Sequence, residues 1–559
     1  MRIARIMIHN FRSIADASFD LGDYSLMIGA NNSGKSNVMD ALRVFYEKVL
    51  KYEEGRDKPR FKTKDDEGWI DIEFALNDDE YTNLKDEYRQ PNKLVKVRKY
   101  LRTYVKGADG KPKQGIFAYI GDKVSDEHFY GAKNVQQGKL GDIIYIPAVS
   151  RLDDYTKLSG PSALRDLLNE ILKKLVKSSK AFATLTTGFE TFTKDFKVEE
   201  TDDKKSLAGL EKDINDDIEE WDTGFELQIN PVTDTDIIKN LVSYKIIDRA
   251  LGERMEAGQF GQGFQRHLIF TLIKTASEYQ PATKPDKKKE FSPDMTLLLF
   301  EEPEAFLHPA QQNTLCRSLR KIAATVGNQV LVSSHSPHFV SQNSDDIPAI
   351  TRLCRDCTES VAGQITATAL QRIFAENQQI NVMLKGTSYE AEADDLKEEM
   401  ESVKYFLWLD SERCGMFFAR QVLIVEGPTE RVLFNYLLST GQIKMPKGGL
   451  FVLDCLGKFN IHRFMNLVDP LNIPHSVLFD ADNGKPPHNK IKALIEANKN
   501  SRTHKIDTFP EDIEAFLGIP KAGKPHRKPQ HVMLCLREGK ITPATLAALI
   551  NKVEALIIY

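Results

Sequence analysis

The loop GANNSGKS at residues 29–36 constrains the fold of this 559-residue chain more than any other stretch. An apolar segment precedes the loop and the amphipathic sequence NVMDALRVFYEKVL follows it, so the loop joins a strand to a helix. In a GxxxxGKS loop, glycines let backbone N–H groups close around phosphates at the N-terminus of the helix. The sequence therefore predicts a nucleoside triphosphate site, in which Lys35 reaches the β- and γ-phosphates and Ser36 ligates Mg²⁺. Further contacts to the nucleotide are expected from Asn31, Gly34 and Asn37.

Two later strands add acidic and imidazole groups to this prediction. The apolar run 295–300 ends in Glu301 and Glu302, which is the Walker B pattern. Glu301, in the place usual for Asp, is predicted to hold Mg²⁺, and Glu302 to orient the attacking water. The run 330–333 leads to His335, which is predicted to contact the γ-phosphate.

Between these motifs, GQGFQ at residues 261–265 is a glycine-rich helix start. The order of phosphate loop, glycine-rich start and Walker B resembles the ABC-type ATPase head of the SMC-like superfamily over about the first 345 residues. The resemblance implies that ATP lies between two heads, with Gly263 and Gln265 of one closing on the phosphate loop of the other. The motif keeps its glycines but lacks the Leu-Ser of the common LSGGQ.

The stretch QVLIVEGPTE at residues 421–430 opens a second region of interest. A short apolar run bounded by turn residues is typical of a buried parallel strand, and Thr429 can cap the helix that follows. Glu426 then lies at the carboxyl end of the strand, where open α/β sheets bind ligands, and Glu430 lies in the first helical turn. Two acids at this edge of a sheet predict a divalent-metal site.

Two further apolar runs, 450–453 and 475–479, end in polar residues, with helical patterns between them. This succession predicts a doubly wound α/β domain that collects carboxylates at its strand ends. Asp480 and Asp482 follow the second run and, as alternate residues, can face the same way. Oxygen ligands of this kind suit Mg²⁺.

A further acidic pair, Asp512 and Glu514, occurs in FPEDIEAFLG. These acids are either additional metal ligands or residues of an early helical turn favoured by the helix dipole. The nearby Lys524 and Lys528 are candidates for neutralising a phosphate.

The pattern EGPTE, then DxD, then DxE resembles a Toprim domain, and an ABC-type head followed by Toprim is similar to the overcoming lysogenization defect (OLD) family. FFARQVLIVEGPTE and LDCLGKFNIHRF are typical of that family, so the resemblance covers essentially the whole chain. It implies a DNA endonuclease or nickase that uses Mg²⁺ or Mn²⁺ and is gated by the head, as in the Gabija or retron-associated anti-phage systems. It implies Lys528 as the catalytic lysine and, as metal ligands, Glu426, Glu430, Asp480, Asp482 and Glu514, with Asp512 beside them.

The length is too great for one hydrophobic core, and the predicted fold class is α/β: an ABC/SMC-like ATPase head with a helical insertion, then a doubly wound Toprim domain. The predicted limits are 1–160 for the N-terminal ATPase lobe, 161–245 for a helical, dimerising insertion, 246–345 for the C-terminal lobe, 346–415 for a linker and 416–559 for the Toprim domain.

The composition argues against several classes of protein. No apolar run is long enough to span a membrane, and six scattered cysteines fit a reducing cytoplasm. Cys354 and Cys357 form a CxxC without a second pair to complete a zinc site. A net charge of −4 argues against a uniformly basic nucleic-acid binder but allows a local basic groove.

Three functions compete at this point. The first is an ATP-gated nuclease, and the second is an ABC-type ATPase whose Toprim domain binds DNA without cutting, as a clamp or repair-recruitment protein. The third, a topoisomerase or primase, is disfavoured by the ATPase head, and a topoisomerase would also need a DNA-breaking tyrosine in an additional domain. The presence of Glu426, Asp480 and Asp482 favours the ATP-gated nuclease. Its expected partners are DNA, further copies in a dimer or tetramer, and a helicase-like subunit or a reverse transcriptase with its RNA–DNA product.

Overall fold

The computed structural model describes residues 1–148 without 48–49, 108–109 and 132–139, and residues 179–229 without 204 and 220–222. It describes residues 295–559 without 306, 342 and 483–485, and short runs between 168 and 176 and between 245 and 293. Two compact units are formed: one by Met1–Ala148 with Lys287–Tyr559, the other by Val149–Asp286.

Eighteen strands occur among the described residues, in succession along some stretches and alternating with helices along others. They are β1 (Arg2–Phe11), β2 (Ile14–Asp20), β3 (Tyr24–Ile28), β4 (Gly68–Ala75), β5 (Leu94–Arg102), β6 (Gly115–Ile120), β7 (Lys123–His128), β8 (Asp142–Ile146), β9 (Ile246–Asp248), β10 (Glu253–Met255), β11 (Thr296–Glu301), β12 (Asn328–Ser333), β13 (Ile350–Asp356), β14 (Glu359–Gln364), β15 (Val422–Val425), β16 (Phe451–Asp454), β17 (His475–Asp480) and β18 (Thr503–Phe509). The α-helices are α1 (Lys35–Tyr46), α2 (Glu54–Asp57), α3 (Asp78–Asn83), α4 (Lys180–Val198), α5 (Leu207–Ile218), α6 (Pro309–Ala323), α7 (Ala367–Asn377), α8 (Gln379–Leu384), α9 (Glu398–Trp408), α10 (Pro428–Ser439), α11 (Ile461–Val468), α12 (Pro486–Ala497), α13 (Ile513–Leu517), α14 (Lys528–Arg537) and α15 (Pro543–Glu554).

The first sheet is antiparallel, in the order β2-β1-β4-β5-β6-β7. Alternation along β1 buries Ile6 and Ile8 while Arg5 and Met7 face outward, as expected for a sheet with one covered side. The sequence pattern of residues 17–28 predicts a single strand that ends before Gly29, and the structure differs. The segment divides into β2 and β3 because the chain leaves the antiparallel sheet after Asp20 and enters the second sheet at Tyr24.

The second sheet has the order β14-β13-β3-β12-β11-β8, and all its neighbours are parallel except the hairpin β13–β14. Its central strands are nearly continuous apolar runs, such as YSLMI in β3 and TLLLFE in β11, because both faces are covered. Helix α1 is almost wholly buried. The stretch 346–415, treated above as a linker, contributes β13 and β14 to this sheet and three helices, so the chain there is ordered structure.

The third sheet, β16-β15-β17-β18, is fully parallel, as the sequence predicts for a doubly wound domain. Its core packs Leu423 and Val425 of β15 against Leu433 and Leu437 of α10. The edge strand β18 was not predicted, because its sequence THKIDTF is only partly buried and lacks an apolar run.

The second unit contains helices α4 and α5 and the two-stranded ribbon β9–β10. The helices lie within residues 161–245, which the sequence predicts to be mostly helical. Among the described residues of the whole chain, no helix combines the length and apolar composition that crossing a membrane requires.

Candidate functional site

The predicted phosphate loop connects β3 to α1, and its two glycines cannot be replaced without a clash. Gly29 has φ +145°, and a Cβ there would lie 2.1 Å from the carbonyl oxygen of Leu353. Gly34 has φ +109°, and a Cβ there would lie 2.5 Å from the Oγ of Ser360. The hairpin β13–β14 therefore packs directly on the loop, and glycine is required by both backbone conformation and space.

The polar residues of the loop differ in their surroundings. Lys35 Nζ donates to the carbonyl oxygens of Gly29 (2.9 Å) and Ala30 (3.1 Å). Burial lowers the pKa of Lys35 to about 8, against the raising effect of nearby acids, the first of which is Glu302. Ser36 and Asn31 are exposed, and Asn37 Nδ2 donates to Ser13 Oγ at 2.6 Å.

The predicted Walker B acids lie at the end of β11 with different surroundings. Glu301 is buried, and one of its oxygens, Oε2, accepts a hydrogen bond from the Tyr145 hydroxyl at 2.7 Å. Its other oxygen, Oε1, is buried without a hydrogen-bond partner among the described residues. Glu302 has φ +44° and is partly exposed, with a carboxylate oxygen 3.6 Å from His335 Nε2. Burial, and then the charge of Lys35, lower the pKa of His335 to about 4, so the imidazole is neutral at pH 7.

A third acid, Glu304, has no role predicted from the sequence. Its carboxylate accepts hydrogen bonds from the His335 backbone N–H (2.6 Å) and the Ser334 hydroxyl (2.9 Å). Burial raises the pKa of Glu304. The side chain thereby fixes the start of the loop that carries His335. The third acid of EEPE was the only sequence signal for this role. Its partner, the His335 backbone N–H, lies 31 residues away along the chain and could not be inferred.

The glycine-rich motif at 261–265 belongs to the second unit. Gln265 is buried, and its Nε2 donates to the Phe260 carbonyl at 2.8 Å. Gly263 lies outside the described residues. The contact of Gly263 and Gln265 with a nucleotide on a second head stays a prediction.

At the other predicted site, Glu426 and Glu430 come together at the end of β15 and the start of α10. Glu430 is 3% exposed, and its Oε2 accepts from the Gly427 backbone N–H at 3.2 Å. Glu426 Oε2 accepts from the Asp480 backbone N–H at 3.2 Å. Burial, and then the charge of Asp480, raise the pKa of Glu426 to about 7 and that of Glu430 to about 8. Such shifts mark a place where negative charge is concentrated away from water.

Two lysines neutralise the aspartates that follow β17. Lys528 Nζ lies 3.1 Å from Asp480 Oδ2, while Asp480 Oδ1 is buried without a hydrogen-bond partner in the described part of the chain. Burial raises the pKa of Asp480, although Lys528 acts to lower it. Lys458 is 3% exposed, contacts the Asp482 carboxylate, and donates to the Asp480 carbonyl oxygen at 2.9 Å. Lys458 lies in the stretch LDCLGKFNIHRF, and the sequence alone predicts no role for it, because Gly-Lys after a strand is a weak signal.

The pair Asp512 and Glu514 lies at the start of α13. Asp512 is the N-cap, accepting from the Ala515 N–H at 2.8 Å, and its other oxygen lies 2.6 Å from Lys521 Nζ. Burial acts to raise the pKa of Asp512, but the hydrogen bonds from Lys521 and Ala515 outweigh it, so the pKa is lowered. Glu514 is buried and accepts from the Ala522 N–H at 2.7 Å.

Another strand-end acid has a different role. Asp454, at the end of β16, is held by Arg413 at one oxygen and by Arg431 at the other, both at 2.7 Å. Burial acts to raise the pKa of Asp454, but these hydrogen bonds overcome it and the pKa is lowered. With both oxygens bound to guanidinium groups, Asp454 stabilises the edge of the site.

The donor set suits a hard divalent cation, because it consists of carboxylate oxygens and includes an unpartnered one, Asp480 Oδ1. As the side chains stand, no three acidic, histidine or cysteine residues within the described ranges are arranged so that they could hold an ion. Lys458 and Lys528 supply the positive charge instead. The candidate metal ligands therefore stay a prediction: Glu426 after β15, Glu430 on α10, Asp480 at the end of β17 and Asp482 after it.

Comparisons with known proteins agree with this two-part arrangement. The family described as AAA ATPase domain matches residues 1–119 and 71–340, and the overcoming lysogenization defect protein-like TOPRIM domain matches residues 417–482. The chain is 22% identical to the Old nuclease of Escherichia phage P2, over 86% of this chain and 77% of that protein. It is 24% identical to the endonuclease GajA of Bacillus cereus strain VD045, over 86% and 75%.

Shorter or weaker similarities are also found. The OLD nuclease of Thermus scotoductus is 26% identical over 41% of this chain and 42% of that protein. Among solved structures, an SMC head bound to the C-winged helix domain of ScpA has a TM-score of 0.36 at 11% identity, over 66% of this chain and 99% of that one. The chain belongs to the AAA ATPase domain family over its first 340 residues and carries, after it, an OLD-like TOPRIM domain, the domain pair of a nuclease with ATPase activity.

Proposed function

We propose that this protein is a metal-dependent DNA endonuclease or nickase, gated by ATP at its head and acting in defence against phage. The observation that carries the proposal is the group of buried charges at the end of β15 and β17. Lys528 contacts Asp480, the Asp480 backbone bonds to Glu426, and Lys458 contacts Asp482. A Toprim domain that only bound DNA would have no need for four acids and two lysines gathered at one partly buried edge.

The metal ligands would be Glu426, Glu430, Asp480 and Asp482, and Mg²⁺ or Mn²⁺ bound there supplies Lewis-acid activation of water for attack on a phosphodiester. Lys528 would hold a non-bridging phosphate oxygen, and its contact with Asp480 from α14 supports this role. Burial acts to lower the pKa of Lys528, but the charges of Asp480 and Glu430 outweigh it and the pKa is raised. Lys528 therefore acts as a fixed positive charge. Glu514 and Asp512 would bind the same ion only by giving up present contacts, because Asp512 caps α13 and Glu514 accepts from the Ala522 N–H.

In the head, Lys35 and Ser36 would bind the phosphates and their Mg²⁺, with Glu301 as the other protein ligand. Glu302 would orient water, a role supported by its partial exposure and its position beside a neutral His335. Dimers or tetramers formed through the heads would place two Toprim domains on one DNA. A helicase-like subunit or a reverse transcriptase with its RNA–DNA product is the partner class that the OLD resemblance suggests.

The first experiment is cleavage of supercoiled and linear plasmid with Mg²⁺ or Mn²⁺, with and without ATP, for the wild type and Asp480→Asn. Asp507→Asn is the matched control, since Asp507 lies on the neighbouring β18 and is paired with Lys552 at 2.8 Å. Cleavage by the wild type and by Asp507→Asn, but not by Asp480→Asn, is expected. DNA binding with no cleavage in any sample would favour the clamp or repair-recruitment function instead.

Gating is tested with Glu302→Gln, which is expected to bind ATP but hydrolyse it slowly. If ATP binding sets the nuclease state, this variant shows the full effect of ATP on cleavage and keeps it for longer than the wild type. Loss of every ATP effect in Glu302→Gln, with nucleotide binding and assembly intact, would contradict gating by the bound state.

A further inference from the structure

Tyr145 connects the two halves of the nucleotide site, and no sequence motif pointed to it. β8 pairs with β11 in parallel register, with Tyr145 opposite Leu299. Because alternate residues of a strand share a face, Tyr145, Leu299 and Glu301 lie on the same side of the sheet. The long tyrosine side chain thus reaches the Walker B carboxylate at the end of the neighbouring strand.

The tyrosine ring is itself held in place. It is 9% exposed, and the guanidinium carbon of Arg43 lies 3.8 Å from its centroid. Arg43, on α1, is bound in turn by Asp40 at 2.7 Å. The helix that follows the phosphate loop therefore fixes the ring that fixes Glu301. Burial, and then the charge of Glu301, raise the pKa of Tyr145, so the hydroxyl keeps its proton.

Glu301 presents its two oxygens unequally. Oε2 receives the Tyr145 hydroxyl at 2.7 Å, a short bond of the charge-assisted kind. Oε1 is buried, and no described residue hydrogen-bonds it. A buried carboxylate oxygen without a partner is costly unless a ligand satisfies it.

We propose that Tyr145 is a positioning residue for the Mg²⁺ of the nucleotide site, tethering Glu301 by one oxygen so that the other faces the metal. This inference rests on the proposed function of the head. Its reason is geometric: Glu is one methylene longer than the Asp usual at this position and has one more rotatable bond. Mg²⁺ requires nearly ideal octahedral geometry, so the extra freedom has to be removed. The hydrogen bond from the Tyr145 hydroxyl restricts this rotation of the Glu301 side chain.

The test is the Mg²⁺ dependence of nucleotide binding, followed by fluorescence of an ATP analogue, and of the thermal shift that ATP produces. Tyr145→Phe keeps the ring on Arg43 and deletes the hydroxyl. Its half-saturating Mg²⁺ concentration is expected to rise about tenfold, as for loss of a hydrogen bond to a charged group. Nucleotide affinity in EDTA stays unchanged. Tyr46→Phe is the matched control, since this buried hydroxyl donates to the Leu140 carbonyl at 3.1 Å.

A double-mutant cycle with Glu301→Asp separates tethering from general packing. An aspartate at position 301 is too short to accept the hydrogen bond from Tyr145. In the Glu301→Asp variant, Tyr145→Phe is therefore expected to change the half-saturating Mg²⁺ concentration less than twofold. An unchanged requirement in Tyr145→Phe, or the same tenfold change in both backgrounds, overturns the inference while leaving the ATPase function standing. If the wild type binds no nucleotide with Mg²⁺, the proposed head function fails and this inference fails with it.

Discussion

Lys528 and Lys524 both precede a proline in GKPHRKP, and their surroundings in space separate them. Lys528 is partly buried, with its Nζ 3.1 Å from Asp480 Oδ2. Lys524 is exposed and precedes a short 3₁₀ turn. A lysine fixed against a metal-binding carboxylate can reach the phosphate that the metal polarises, whereas an exposed lysine contributes a screened charge.

Lys528→Ala is therefore expected to lower the initial rate of plasmid cleavage by about a hundredfold or more, the size of effect seen when one fixed positive or hydrogen-bonding group is lost from a reacting oxyanion. Lys524→Ala serves as the matched control and is expected to stay within about twofold. Gel-resolved cleavage and a DNA-binding isotherm for both variants give the comparison. Equal losses in the two variants, or an undiminished rate in Lys528→Ala, would show that the catalytic charge lies elsewhere.

For single residues, sequence patterns identify the acids at the ends of strands but not the side chains that contact them. Glu426 and Asp480 follow apolar runs, and that pattern is local. Asp454 follows the same kind of run, yet its two oxygens are bound by Arg413 and Arg431. The local pattern therefore does not separate a candidate metal ligand from a structural acid, because the arginine that distinguishes Asp454 lies 41 residues away along the chain. Lys458 and Tyr145 escaped prediction for the same reason.

Among the elements, the hairpin β13–β14 contacts both the phosphate loop and the Toprim domain. On one side, the Leu353 carbonyl and the Ser360 side chain lie against the phosphate-loop glycines, and Ser360 Oγ hydrogen-bonds Ser13 Oγ at 2.7 Å. On the other side, Arg352 extends into the Toprim domain. Its guanidinium donates to the carbonyl oxygens of Phe417 (3.1 Å), Leu471 (3.1 Å), Asn472 (2.9 Å) and Ala419 (2.8 Å).

Arg352→Met is expected to lower the free energy of unfolding by about 3 kcal/mol, because it leaves these buried carbonyl oxygens without a donor. It is also expected to weaken any effect of ATP on cleavage, because the hairpin contacts both the phosphate loop and the Toprim domain. Calorimetry and the cleavage assay measure the two effects. Arg355→Met, an exposed position on the same strand, is the control. A loss of stability with an undiminished ATP effect would mean that the hairpin joins the domains without transmitting nucleotide binding.

The hairpin was missed because ITRLCRDCTESVAGQ has neither a continuous apolar run nor strict alternation. β13 is a strand because β3 offers it a parallel partner, which is a tertiary cause. In contrast, β3, β11, β12, β15 and β17 were predicted, since each is an apolar run bounded by turn residues. The fold class could therefore be predicted from the central strands, whereas the contact of the hairpin with both the phosphate loop and the Toprim domain could not.

Across the whole first unit, the helices after β14 attach the Toprim domain through buried charge. Glu401 of α9 binds Arg463 of α11 through both carboxylate oxygens, at 2.9 and 3.0 Å. Burial acts to raise the pKa of Glu401, but Arg463 outweighs it and the pKa is lowered. Beside this pair, the ring of His462 is fully buried, with Nε2 3.4 Å from the Asn377 carbonyl oxygen. Removing one partner of such a buried pair typically costs about 3–5 kcal/mol.

His462 makes the stability of this attachment depend on pH. Burial, and then the charge of Arg463, lower the pKa of His462 to about 3, whereas an unfolded histidine titrates near 6.5. Between these values the unfolded chain binds a proton that the folded chain does not, so the free energy of unfolding falls as the pH falls below about 6.5. The contribution is about 1.4 kcal/mol per pH unit, or about 2 kcal/mol between pH 6.5 and 5.

His462→Gln is expected to flatten this dependence, because glutamine can donate to the Asn377 carbonyl oxygen but does not titrate. Urea unfolding at pH 7.5, 6.5 and 5 gives the free energy of unfolding, and the difference in its pH slope between wild type and variant isolates His462 from the other ionisable groups. His504→Gln is the control, because that side chain on β18 is exposed to solvent in the folded chain. The same slope in wild type and His462→Gln would mean that the imidazole is protonated inside the fold, and that the contact between α7 and α11 opens to admit the charge.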